Sequence, residues 1–251
     1  TVTAAASEGL AEALGIAGGS GADTVWNAGT MSVDAESELT ITSTSVSIAE
    51  ATFGDAFAGA SSDTSIAGRA VAMGISGDDG NDTIVSDGTL SIDGSAFTDV
   101  KQVTVALADS TFGSANTVAG SRNASRAAVE AAGIAGGDGN DTITANGQFA
   151  VAGAADVSVN MLTVSSSGPA SSDAETLAVA NVAGIDGGSG DDSVDVNGAM
   201  LVAAAPHVGV AKRTYGKGGN VEGNVGIALR ASASGVATGG GHDTLTVGDG
   251  G

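Results

Sequence analysis

Five aspartates, each closing a glycine-rich loop, are the residues of this sequence with the most chemistry to offer. They are Asp23, Asp82, Asp141, Asp192 and Asp243, spaced 59, 59, 51 and 51 residues apart. The loops read GIAGGSGADTV from Gly15, GISGDDGNDTI from Gly74, GIAGGDGNDTI from Gly133, GIDGGSGDDSV from Gly184 and GVATGGGHDTL from Gly235. Glycine permits tight turns that aim backbone carbonyls inward, and the Asp adds a carboxylate. These are hard oxygen donors, the kind calcium takes six to eight of at about 2.3–2.6 Å. One loop is too short to supply that many, but two stacked loops are not. The chemistry on offer is cation binding.

The charge balance points the same way. Twenty-nine acidic residues face eight basic ones, a net charge of −21. Nucleic acid and anionic membranes call for a positive footprint and are poor partners for such a chain. If the repeats stack in register, their carboxylates form a ladder with rungs about 5 Å apart, and each adjacent pair costs about 3 kcal/mol at an effective dielectric near 20. Asp78, Asp79, Asp138, Asp186 and Asp191 add to that repulsion. A divalent ion between rungs removes it. The competing reading is that these residues only cap Asx-turns in solvated loops.

Other chemistry has little to stand on. The only histidines are His207 and His242, and no elbow motif surrounds any serine. The loops lack the Gly-x-x-x-x-Gly-Lys-Ser/Thr pattern of a phosphate cradle and carry the wrong charge for one. The one basic cluster, AKRTYGKGG from Ala211, reads as a solvated loop tip, with a docking patch for an acidic surface as the sharper alternative. TITSTS from Thr40 suggests an ice-binding face, but one repeat on the positions hold Asp99, Lys101 and Val103, so no flat threonine array follows. No stretch approaches the roughly 18 apolar residues of a membrane span, and the absence of Cys removes disulfides and thiolate metal sites.

The elements that must position the loops come from the same repeats. An apolar column follows each Asp by two residues: Val25, Ile84, Ile143, Val194 and Leu245. Gly29, Gly88, Gly147 and Gly198 then mark a corner, read as needing φ > 0 because Asp87, Asn146 and Asn197 precede three of them. Next come Met31, Leu90, Phe149 and Met200, then Val33, Ile92, Val151 and Val202, and later Ile41, Val100, Val159 and Val210. Ahead of each loop, Ala13, Ala72, Ala131, Val182 and Ala233 alternate with Glu12, Val71, Glu130, Asn181 and Ser232. Period two means strand, although SSDAETLAVANVAG from Ser171 keeps a short helix open as an alternative.

The expected fold is all-β: a parallel β-solenoid, β-helix- or β-roll-like, of about five stacked repeats. The repeats run 15–73, 74–132, 133–183, 184–234 and 235–251, with 1–14 the end of a preceding one, all in a single array over 1–251. Five coils at ~4.8 Å would stand about 24 Å tall. A coil of 51–59 residues is large, so each repeat holds either two coils or one with a protruding loop. The least similar stretches, near Gly54 to Ser65, Gly113 to Ser125, Gly168 to Asp173 and Tyr215 to Gly223, are the expected loops. A chain opening at Thr1 with no leader reads as a processed product or a segment of a longer array, and ends without a polar cap suggest coils stacking end to end into fibres.

At the loops the sequence resembles the RTX, or hemolysin-type, calcium-binding nonapeptide G-G-x-G-x-D-x-U-x, with U a large apolar residue. GGSGADTVW from Gly18, GGDGNDTIT from Gly136 and GGSGDDSVD from Gly187 match at every defined position. GDDGNDTIV from Gly77 carries Asp78 in place of the second Gly, and TGGGHDTLT opens on Thr238. The resemblance covers nine residues per repeat, and each nonapeptide is solitary where that family runs them in tandem. It implies several calcium ions between successive turns. The implied ligands are Gly18, Gly19, Gly21 and Asp23; Gly77, Asp79, Gly80 and Asp82; Gly136, Gly137, Asp138, Gly139 and Asp141; Gly187, Gly188, Gly190, Asp191 and Asp192; and Gly239, Gly240, Gly241 and Asp243. A second nonapeptide would begin at the end of the chain if an Asp followed Gly251.

The function expected is therefore a calcium-binding structural segment of a secreted or cell-surface bacterial protein, such as an adhesin stalk, surface-layer component or extracellular filament, and not an enzyme. Crossing the membrane unfolded and folding on external calcium is the logic of the resembled family. Two alternatives are the carboxy-terminal secretion and folding module of an RTX enzyme or toxin, and a glycan- or matrix-binding module.

Overall fold

Alternation of small apolar and polar residues, sustained for about twenty residues at a time, builds long strands. The computed structural model describes residues 1–248, and among them there is no helix. The segment from Ser171 that kept a helix open is strand.

Each coil is a long arm, a short strand across one end, and a second long arm running back. The first coil is β1 (Val2–Ser20), β2 (Thr24–Asn27) and β3 (Thr30–Phe53). The second is β4 (Ala56–Asp79), β5 (Thr83–Ser86) and β6 (Thr89–Phe112), and the third β7 (Ala115–Asp138), β8 (Thr142–Ala145) and β9 (Gln148–Ser165). β10 (Ala170–Ser189), β11 (Ser193–Val196) and β12 (Met200–Gly216) make the fourth. A fifth contributes β13 (Val221–Glu222), β14 (Val225–Ala237) and β15 (Thr244–Val247). Three parallel sheets result: β1-β4-β7-β10 with β13 and β14 both on β10, β2-β5-β8-β11-β15, and β3-β6-β9-β12. The chain is a parallel β-solenoid.

Ladder partners such as Val2 and Ser61 are 59 residues apart, and Ala119 and Ala170 are 51 apart, so one repeat is one coil. Every apolar column read from the sequence is a ladder of the structure, from Ala13–Ala72–Ala131–Val182–Ala233 to Val25–Ile84–Ile143–Val194–Leu245 and Ile41–Val100–Val159–Val210. A 24-residue arm spans about 80 Å at ~3.3 Å per residue, so the coil is a long flat loop. Its two arms face each other across the core.

Two expectations need correcting. Three of the four stretches taken as loops are mostly strand: the chain turns at Gly54–Asp55, Gly113–Ser114 and residues 166–169, and strand resumes at Ala56, Ala115 and Ala170; in the fourth, residues 217–220 do form the expected loop. The eight-residue difference between repeats is arm length, because β3, β4, β6 and β7 have 24 residues each, against 18 in β9 and 20 in β10. Second, the corner glycines Gly29, Gly88, Gly147 and Gly198 are not among the positive-φ residues. Glycine is needed there because the coils stack closely: a Cβ on Gly88 would run into the carbonyl of Gly29, and one on Gly147 into that of Gly88.

Candidate cation site at the glycine-rich corner

The glycine-rich segments join the long arms β1, β4, β7, β10 and β14 to the short strands, and all five lie at one corner in register. Each approach begins with a change of phase. Ala70 and Ala72 face inward at even positions, then Gly74 interrupts and Ile75 faces inward; Ile134 and Ile185 repeat this, and all three isoleucines are fully buried. The isoleucine pins the arm to the core just before the turn, and Ile84, Ile143 and Val194 pin the chain again just after it.

Between the anchors, the aspartates form a ladder. Asp23 N donates to Asp82 Oδ1 at 2.7 Å, Asp82 N to Asp141 Oδ1 at 2.8 Å, Asp141 N to Asp192 Oδ1 at 2.8 Å and Asp192 N to Asp243 Oδ1 at 3.1 Å. Each carboxylate thus reaches back one coil. Asp82, Asp141 and Asp192 are 2%, 1% and 2% exposed. The other oxygen of each rung, Oδ2 of Asp23, Asp82, Asp141 and Asp192, is buried with no hydrogen-bond partner. A buried carboxylate oxygen without a donor is costly. Accordingly, burial pushes the Asp141 carboxyl above its usual range, reinforced by Asp192 and Asp82 and opposed by the backbone bond. Burial also raises Asp192, with the charges of Asp243, Asp191 and Asp186 adding to it and its backbone bond opposing.

What those oxygens face is informative. A Cβ on Gly77 would run into both Asp82 Oδ2 and the Gly136 carbonyl oxygen. One on Gly136 would meet Asp141 Oδ2 and the Gly187 carbonyl, and one on Gly187 would meet Asp192 Oδ2 and the Thr238 carbonyl. The first glycine of each motif therefore leaves a small space lined by one carboxylate oxygen and one carbonyl oxygen of the next coil. These donors fit a hard divalent cation by type and charge. They fall short in number, so water would have to complete the shell. Among the described residues, no group of three or more His, Cys, Asp or Glu side chains could hold a metal by itself.

The expected ligands therefore separate into two sets. Asp82, Asp141 and Asp192, with Asp23 and Asp243 at the ends, share the ladder with Gly18, Gly77, Gly136 and Gly187. Asp79, Asp138 and Asp191 are exposed on the outer side of the turn. There Asp138 Oδ1 accepts from Ser189 Oγ at 2.5 Å. The remaining glycines shape the turn: Gly19, Gly137, Gly188 and Gly239 have φ between 88° and 106°, and Gly21, Gly80, Gly139, Gly190 and Gly241 between 119° and 144°. Gly240 forms an isolated bridge with Ser189.

A second ladder was not anticipated. Asn140 N donates to Asn81 Oδ1, Asp191 N to Asn140 Oδ1 and His242 N to Asp191 Oδ1, at 2.8–2.9 Å. It occupies the position just before the aspartates and reaches forward one coil where they reach back. Asn81, Asn140 and Asp191 in one column were the signal for it. The second nonapeptide suspected at the end of the chain lies outside the described residues.

No family model matches this chain, nor does any curated protein or solved structure. The likeness to the calcium-binding nonapeptide rests on the loop residues alone, and among the described residues no helix is long and apolar enough to cross a membrane.

Proposed function

We propose that the chain is a cation-stabilised structural solenoid, with calcium as the cation, forming part of a secreted or cell-surface bacterial protein and having no catalytic role. One observation carries the reading: four stacked carboxylates keep a buried oxygen without a donor, each beside a backbone carbonyl of the next coil, from Gly77, Gly136, Gly187 and Thr238 in turn. Bound calcium would supply positive charge between rungs and satisfy those oxygens. Asp82, Asp141 and Asp192, with the Gly136, Gly187 and Thr238 carbonyls, would hold it. End-to-end association of coils belongs to the same reading, since stacking is how the chain buries its edges.

The test is thermal melting, followed by far-ultraviolet circular dichroism, in millimolar calcium and in excess EGTA. The parent chain should melt well above its chelated form. A variant carrying Asp82→Asn, Asp141→Asn and Asp192→Asn should lose that difference and, without metal, outlast the chelated parent, because the amides remove the like charges. Equal melting of the parent in both buffers would sink the proposal.

A further inference from the structure

The outer surface of the sheet β3-β6-β9-β12 changes character along its arms. Near the glycine-rich corner it carries Asp34, Glu36 and Asp93. Beyond Ile41, alternate outward positions hold large apolar residues that stack in register from coil to coil. Val46, Val105, Val164 and Tyr215 form one column, and Ile48 and Leu107 lie side by side in the next toward the tip. Val46, Ile48, Leu107 and Tyr215 are 36–64% exposed. The opposite arm shows nothing similar: beside the buried Ser62 and Ser121, its outer surface carries Asp63 and Arg122. A contiguous apolar face on one side of so acidic a chain is the mark of an interaction surface. It lies on the flank of the stack, across the coils, and uses none of the glycine-rich corner.

Charge decides what fits it. The whole chain carries −21, so two copies repel each other over most of their surface. Over the five outward columns from Thr42 to Glu50 that excess vanishes, because Lys101 and Arg213 stand against Glu50 and Asp109. The placement is also self-complementary. Lys101 and Asp109 lie on β6, each four residues from Val105 and on the same face. They therefore sit about 13 Å to either side of it. Lys101 has Asp99 on its corner side, with Nζ 3.2 Å from Oδ2, and its side chain is still 60% exposed. Among the described residues Asp109 has no ion-pair partner.

We propose that two copies of this chain pair side by side through this face, about a two-fold axis that runs along the stack over the Val105 column. The rotation keeps each coil level with its counterpart and reverses the direction of its strands. The Val105 column then meets itself, Val103 meets Leu107 of the second copy, and Lys101 meets Asp109 of the second copy at two equivalent places. Five columns two residues apart span about 26 Å, and four coils about 19 Å. The footprint is about 500 Å² per copy, or about 1,000 Å² in total, which reaches the size of a specific interface. An acidic protein or a nucleic acid would meet the same face without this charge match.

The test is charge exchange, read by sedimentation velocity in millimolar calcium over a range of concentrations. The parent should dimerise. Val105→Asp puts carboxylates on the axis and should weaken the dimer about tenfold or more. Lys101→Glu and Asp109→Lys should each do the same, since like charges then face each other at both contacts. The double variant restores opposite pairs and should recover the dimer. A mixture of the two single variants should also recover it, as a heterodimer, because only the two-fold pairing sets one variant's changed residue against the other's unchanged one. That recovery also shows that each single variant is folded. A parent that stays monomeric would overturn the proposal and leave the face to a different partner. Association that ignores the charge variants, or a mixture that fails to associate, would overturn it equally.

Discussion

Next to the glycine-rich corner, the space between the arms is filled by Ile75, Ile134, Ile185, Leu90, Phe149 and Val151, and the outer surface carries Asp34, Glu36, Asp93 and Asp99. Toward the far tips the arrangement inverts. The inward columns there hold Ser43, Ser45, Thr104 and Thr163 on one arm and Ser62, Ser121, Asn123 and Ser172 on the other, all buried. The outer face of the same stretch shows Val46, Ile48, Leu107 and Tyr215, at 36–64% exposure. Hydroxyls pair across the interior: Ser43 with Ser62 at 2.6 Å, Ser172 with Thr214 at 2.7 Å, and Ser121 with Thr163. One fold thus uses two interiors, an aliphatic one that anchors the cation loops and a thin hydroxyl one that holds the arms in register. Burying apolar area stabilises by about 25 cal/mol per Å², while a net hydrogen bond contributes about 1 kcal/mol. The corner half should carry most of the stability.

Substitution can break that contrast. Ile134→Ala, at a fully buried corner position, should cost about 2–5 kcal/mol through lost transfer energy and a residual cavity. In the tip half, Thr163→Val alone strands the Ser121 hydroxyl and should cost about 1–3 kcal/mol. The pair Ser121→Ala with Thr163→Val removes both partners and should come out within about 1 kcal/mol of the parent. Urea unfolding in saturating calcium measures all three. A tip pair as costly as Ile134→Ala would overturn the division.

A smaller effect separates the halves by pH. Asp141 and Asp192 have raised carboxyl pKa values in the folded chain. A group that holds its proton more tightly when folded adds stability that is full below its unfolded value, near 3.8, and is lost as pH rises through the folded value. The chelated chain should therefore lose this contribution as pH rises from below 3.8 through the raised folded values. Calcium should flatten or reverse this trend, because it needs the deprotonated ladder. Replacing Asp141 and Asp192 by Asn should abolish this contribution, and a chelated parent whose melting responds to pH no differently from that of the Asn variant would contradict it. The hydroxyl half, with no carboxylate in its interior columns, contributes nothing to the trend.

The same inversion explains what was legible in the sequence. Columns such as Leu90–Phe149 and Ile84–Ile143 could be read because large apolar residues recur at fixed offsets and point inward. Beyond Ile41 large apolar residues such as Val46, Ile48 and Leu107 point outward, and the inward positions are mostly Ser, Thr and Ala, with Gln102, Met161 and Lys212 in a single column, so the pattern dissolves and the tips resemble loops. The aspartate ladder followed from spacing alone. The lone Oδ2 atoms did not, because they depend on which oxygen accepts the neighbouring N–H. The need for glycine at Gly88 was legible, but its cause was not: close stacking on Gly29 leaves no trace within a single repeat.

The smallest effect concerns the one rung of the corner that breaks the glycine rule. Asp78 is the only non-glycine residue with positive φ among those described, at 70°, while its column mates Gly19, Gly137 and Gly188 sit at 96°, 106° and 100°. A side chain at that position has the carbonyl of the coil before it as a neighbour, as Gly137 shows against Asp78. The narrower φ at Asp78 is consistent with its backbone turning to clear that carbonyl. Left-handed geometry costs an ordinary residue about 1–2 kcal/mol. Glycine would relieve this and return about 0.5–1 kcal/mol to the entropy of the unfolded chain. It would also forgo the 2.5 Å bond from Ser76 Oγ to Asp78 Oδ1, while removing a carboxylate from beside Asp79. Asp78→Gly should therefore stabilise the chain by up to about 1 kcal/mol. Gly137→Asp, one coil on, should destabilise it by more than that, since a Cβ there would run into the Asp78 carbonyl. Melting both variants in calcium tests the asymmetry, and a stable Gly137→Asp would mean that the corner is looser than its stacked glycines indicate.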